Sequence, residues 1–128
     1  MSAIRSFRDL IAYQKARSAA AEVFRITRHF PAEERYSLTD QVRRSSHAVA
    51  AMISEAWGRR RYEAVFVNKL SEAQGEATES QSWLDNALDC GYISKSEHAR
   101  LDALFQELGA VLQGMIDRSG TFCRSAKR

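Results

Sequence analysis

The sequence predicts an all-α protein, an up-and-down antiparallel four-helix bundle. Three observations lead there. Apolar residues recur at steps of three and four along four stretches of about 20 residues each. No stretch alternates apolar and polar residues over a useful length. One proline and six glycines are too few to turn the strands of a β-sandwich.

Residues 1–6 read as a loose arm. The first helix is expected over about 7–29, where Tyr13, Ala16, Ala20, Val23, Thr27 and Phe30 mark one face. Ile11, Phe24 and Ile26 widen that face beyond what one core needs, which points to a second packing surface and association between subunits. Phe30-Pro31 ends the helix, because the residue before proline is pushed out of the α region. The second helix, about 37–57, carries Leu38, Val42, Ser45, Val49, Met52 and Ala56. Ser37 is its expected N-cap, with Asp40 reaching back, and Gly58 its left-handed stop.

A third helix over about 62–89 carries Tyr62, Phe66, Leu70, Ala73, Ala77, Ser80, Leu84 and Leu88. Gly75 in its middle is expected to let another helix approach closely. Cys90-Gly91 closes it, and Tyr92-Ile93 fold back over the bundle end. Ser94 and Glu97 form a capping box that opens the fourth helix, about 95–118. Leu101, Leu104, Leu108, Val111 and Met115 give its stripe, widened by Phe105, Leu112 and Ile116. The basic tail, 119–128, is expected to fray.

At 128 residues the chain is the size of one domain and needs neither disulfides nor metal to bury a core. Cys90 and Cys123 are too few for a disulfide framework, no apolar run is long enough to span a membrane, and the start of the chain lacks a signal-peptide core. The cytoplasm is the expected location. Net charge is +3, but it is unevenly spread. Residues 1–61 carry 12 Lys/Arg against 6 Asp/Glu, a net +6, and residues 62–118 carry 4 against 10, a net −6. The last ten residues add +3. Two opposite halves can attract each other or a neighbouring subunit, or the basic half can face a polyanion.

No pattern for catalysis emerges. His29, His47 and His98 lack the Glu-x-x-His spacing of a di-iron bundle, and Cys90 and Cys123 lack zinc-ligand spacing. There is no phosphate loop and no nucleophile elbow. Glu72, Glu76 and Glu79 share a face without histidines to make it a metal site. No cofactor, metal or catalytic residue is expected, and the chain reads as a non-enzyme. The arginines lead further. Arg59, Arg60 and Arg61 end the second helix, where cations also complement the helix dipole, and Arg43-Arg44 lie more than about 20 Å earlier along it. Arg5, Arg8 and Arg35 add to them. Trp57 and Tyr62 flank the triple arginine, placed either to stack on unpaired bases or to pack the bundle end. Glu55 is spaced to pair with Arg59.

The stretches FRDLIAYQKA, FPAEERYSLTDQVRRS, ISEAWGRR and AQGEATESQSWL followed by GYI, in that order, resemble a bacterial four-helix-bundle family. The family is named for proteins encoded in intervening sequences of large-subunit ribosomal RNA genes, and the resemblance spans about residues 7–118. It implies a left-handed bundle that assembles into a ring-like homopentamer. It further implies kinship with the accessory variability determinant of diversity-generating retroelements, a basic pentameric barrel that binds nucleic acid and a reverse transcriptase. The family's paired arginines fall on Arg43 and Arg44, and its Glu-Gly-x-Gly-Arg signature on Glu55, Ala56, Trp57, Gly58 and Arg59, with Ala56 replacing a glycine. A proline and an asparagine frequent in that helix appear as Ala50 and Met52, departures that predict a straighter helix.

Two functions follow as expectations. The leading one is a homo-oligomer that binds RNA or DNA through phosphates at Arg43, Arg44, Arg59, Arg60 and Arg61, with Trp57 and Tyr62 as aromatic neighbours. The other is an interaction scaffold whose partner is a protein, a reverse transcriptase among the candidates.

Overall fold

The computed structural model describes residues 3–124 and holds, among them, helices and turns but no strand. Four long helices, α1 (Ile11–Thr27), α2 (Leu38–Gly58), α3 (Glu63–Asp89) and α4 (Lys95–Asp117), precede a short α5 (Ser119–Arg124). Each long helix packs on the next, and α4 returns to α1. Cross-helix bonds give the direction. On α3, Lys69 reaches Glu55 of α2 and Ser80 reaches Ser45, so one number climbs as the other falls. The same holds for Gln74–Gln113 and Gln81–Gln106 between α3 and α4, and for Lys15–Glu107 and Glu22–Arg100 between α1 and α4. Neighbours are antiparallel, and the topology is up-and-down.

The core divides unevenly. Alanines dominate the buried face of α1 (Ala12, Ala16, Ala19, Ala20), whereas α4 buries Leu101, Phe105, Leu108, Leu112 and Met115. Small residues let α1 approach its neighbours, and large ones fill the opposite side. On α2 the buried position is Ile53 rather than Met52, and on α4 the stripe centres on Phe105 and Leu112, with Leu104 and Val111 at its edge. Ile26, expected on the outer arc, is buried. At mid-bundle the hydroxyls of Ser45 and Ser80 share a hydrogen bond at 2.7 Å, one donating to the other, which in turn donates to a carbonyl of its own helix. The helix-spacing expectation for Ser80 holds.

Several expected boundaries move. Residues 7–9 form a 3-10 turn under a Ser6–Asp9 capping box, and Leu10 is extended (φ −68°, ψ 129°) before α1 begins. Leu10 is buried, so the break drives its side chain inward. Of the expected loose arm, residues 1–2 lie outside the described residues. Ser37 does not cap α2 with its side chain; its Oγ donates to Glu34, which also takes the Leu38 N–H at 3.3 Å. Gly58 is the last residue of α2, but without a positive φ; Gly91 alone has one among the described residues (76°). There Tyr92 N–H bonds Ala87 O and Gly91 N–H bonds Leu88 O, the two bonds of a Schellman stop. A side chain on Gly75 would meet nothing within 4 Å, so no helix approaches closely there. The tail is partly ordered rather than frayed. In α5 Phe122 stacks on Phe66 (5.8 Å) and Cys123 is fully buried, while Ser119 Oγ donates to Glu63 at 2.8 Å. Residues 125–128 lie outside the described residues.

Candidate nucleic-acid interface

Because the helices follow one another around the core, α1 and α2 form one side and α3 and α4 the other. The sequence's net +6 and net −6 halves therefore become two opposite faces. α2 runs unbroken from Leu38 to Gly58 and carries Arg43 and Arg44, and Arg59, Arg60 and Arg61 follow in the turn after it.

The clusters split on closer view. Arg43 is half-buried between α1 and α2: its Nε donates to Thr27 Oγ1 at 2.7 Å and its guanidinium lies 4.4 Å from the Phe24 ring. Arg44, about 100° further round the helix, is exposed and donates to Gln41 at 3.0 Å. Its positive charge also offsets part of what burial and Glu79 do to the Glu76 carboxyl, which is held above its ordinary value. Arg60 folds back over Trp57, 3.8 Å from the ring, and donates to the Trp57 carbonyl at 2.8 Å. Trp57 packs against the core at the bundle end. Arg59, Arg61 and Tyr62 are exposed, and the two arginines have no carboxylate partner among the described residues. Glu55 bonds Lys69 at 3.0 Å rather than pairing with Arg59.

A second set of basic groups was not singled out by the sequence reading. Arg17 and Arg25 of α1, Arg28 just past its end and His47 of α2 line a groove of about 520 Å³ whose floor holds Ala20, Ala21 and Ala50. Phe24 stands among them, 47% exposed. The signal was present: Arg17, Ala21, Phe24, Arg25 and Arg28 follow helical spacing. The widened apolar arc at Phe24 drew attention to packing instead.

The α3–α4 seam is bridged by side-chain bonds of its own. Gln81 Nε2 donates to Asp102 and Gln106, both at 3.0 Å, and Gln74 to Gln113 at 3.0 Å. His98 bonds Asp85 at 2.7 Å. At the end of the bundle, Glu34 accepts from Ser37, Tyr92 and the Leu38 N–H, and these bonds hold its carboxyl below the ordinary range. The same contact pushes the Tyr92 hydroxyl up to about 12. Cys90 and Cys123 form no disulfide; one is exposed and one buried. Among the described residues no group of three or more His, Cys, Asp or Glu stands together to share a metal ion, and no helix is long and apolar enough to cross a membrane.

Comparison with known proteins gives three findings. A search of curated proteins finds no match. Among solved structures, the bundle resembles a crystal structure from Bacteroides thetaiotaomicron VPI-5482, described as a protein of unknown function from the S23 ribosomal protein family. The TM-score is 0.77 at 24% identity, covering 84% of this chain and 96% of that one. That likeness concerns the fold. The family described as 23S rRNA-intervening sequence protein matches residues 8–114, from the 3-10 turn to the last turn of α4, and the chain belongs to that family.

Proposed function

We propose that this protein is a non-enzymatic homo-oligomer, a pentamer in the cytoplasm, that binds RNA or DNA chiefly through phosphates. The observation that carries the reading is the basic α1–α2 side, where the exposed Arg17, Arg28, Arg44, Arg59 and Arg61 lack carboxylate partners among the described residues. The family's description, which ties it to intervening sequences of 23S rRNA, supports a nucleic-acid context. Arg44, Arg59 and Arg61 are the phosphate contacts of the original set; Arg43 and Arg60 position the surface through Phe24 and Trp57, and Tyr62 stands exposed beside it. Self-association is supported by a groove of about 800 Å³ between the start of α1 and the end of α4, rimmed by the exposed Ile4 and Ile11.

Fluorescence anisotropy with short labelled RNA and DNA across a salt series tests the reading, on protein sized by native mass spectrometry. Binding that weakens steeply with salt, with a shallower slope in Arg59→Ala/Arg61→Ala, supports it. Absence of binding at low salt by an intact oligomer refutes it. The alternative, a scaffold for a protein partner such as a reverse transcriptase, draws support from the acidic α3 ridge of Glu72, Glu76 and Glu79. A basic partner retained after nuclease treatment and lost on changing those glutamates to glutamine favours the scaffold.

A further inference from the structure

We propose that the α1–α2 groove is a single-strand nucleotide subsite, in which an unpaired base stacks on Phe24 while phosphates on either side pair with Arg17 and Arg28. The inference rests on the nucleic-acid reading and adds to it a place and a substrate class. The groove exists because its floor is alanine: Ala20, Ala21 and Ala50 leave open a volume of about 520 Å³ between two helices that otherwise touch. Around that floor stand Arg17, Arg25 and Arg28, with one exposed aromatic ring in their midst.

The ring is held in place. The Arg43 guanidinium lies against it at 4.4 Å and is itself fixed by Thr27 Oγ1, so little freedom is lost when a base arrives. Phe24 remains 47% exposed despite that contact. Arg17 on α1 and Arg28 just past its end span about 16 Å along its axis, with Phe24 between them. Neither has a carboxylate partner among the described residues. The carboxylate that lies between them in the chain, Glu22, is occupied by Arg25 and Arg100, each at 3.1 Å. An aromatic face among guanidinium groups reads a base as well as its phosphate. A duplex hides its base faces and leaves only the phosphates to bind.

The test uses the full chain and anisotropy with a labelled oligothymidine of about ten nucleotides, beside a duplex of equal length. Phe24→Ala is expected to weaken single-strand binding about five- to 150-fold, with duplex binding little changed, and Phe24→Trp to retain both. Arg17→Ala/Arg28→Ala weakens both ligands and flattens the salt dependence. Ala21→Glu, at an exposed floor position, sets a carboxylate in the groove and weakens both without touching the core. An oligonucleotide carrying 5-iodouracil is expected to photo-crosslink to the α1 peptide. If wild type binds but Phe24→Ala and Ala21→Glu bind equally well, or the crosslink maps elsewhere, the subsite is wrong and the broader reading stands. If wild type binds neither ligand at low salt, both fail together.

Discussion

Two of the four seams of this bundle are built to different ends. Along α3–α4 the outer groups answer one another: Gln74 meets Gln113, and Gln81 meets Asp102 and Gln106. Along α1–α2 the floor is alanine and the rim is arginine, with Arg17 and Arg28 left without carboxylates among the described residues. A seam whose polar groups are satisfied internally has little to offer a ligand. A seam that keeps cations exposed around an open groove retains charge for something outside it. The comparison separates a side whose polar groups are spent on the fold from a side whose charge is left exposed.

The largest expected effect breaks the closed side. Phe105→Ala, on a fully packed face of α4, is expected to cost about 3–5 kcal/mol in urea unfolding. On the alanine side the damaging change runs the other way. Ala16→Leu, at a fully buried position, overpacks the close approach of α1 and is expected to cost about 1–3 kcal/mol. If both substitutions were tolerated, the uneven packing described above would be wrong. Within the arginines the contrast is finer. Arg43→Ala removes the Thr27 bond and the Phe24 contact, with an expected loss of about 1–3 kcal/mol, while Arg59→Ala stays within about 0.5 kcal/mol. Thermal melts of the two variants side by side check the division between positioning and surface cations.

The smallest effect concerns pH. Glu34 has its pKa lowered in the fold, so its bonds add stability above the ordinary value of 4.5 and lose it as pH falls through the folded value. Tyr92 is raised from 10.0 to about 12, so its contribution is complete below 10 and fades as pH rises toward 12. Tyr92→Phe is expected to melt slightly below wild type at neutral pH, with the gap closing in acid and in strong alkali. A gap independent of pH would show that the lost hydroxyl acts otherwise.

Much of the fold is legible in the sequence because burial is periodic: every third or fourth residue of α1 to α4 faces one core. The caps are less so. Ser37 and Asp40 fit a capping pattern, yet Glu34 takes the role because it also binds Tyr92, 58 residues away, and no local pattern registers that contact. Phe122 and Cys123 lie in a polar, basic stretch, and only the exposed end of α3 explains their burial. For the candidate site, the sequence shows clusters of arginine but not their directions. Arg43 and Arg44 are adjacent in the chain and turn to different neighbours, so a count of charges overstates the surface they offer. Phe24 is the reverse case, where an apolar letter hides a position on the cationic side.

The Glu34 contact also bears on how the bundle loosens. It ties the turn between α1 and α2 to the turn between α3 and α4, with Phe30 and Tyr92 packed beside it at 5.3 Å. The opposite end is laced differently: Ser119 Oγ, just past α4, donates to Glu63 at the start of α3, and Phe122 of α5 stacks on Phe66. Each end is thus tied across its connections, one through Tyr92 and the other through α5. In hydrogen exchange, Tyr92→Phe and Ser119→Ala are each expected to speed the amides of their own end first.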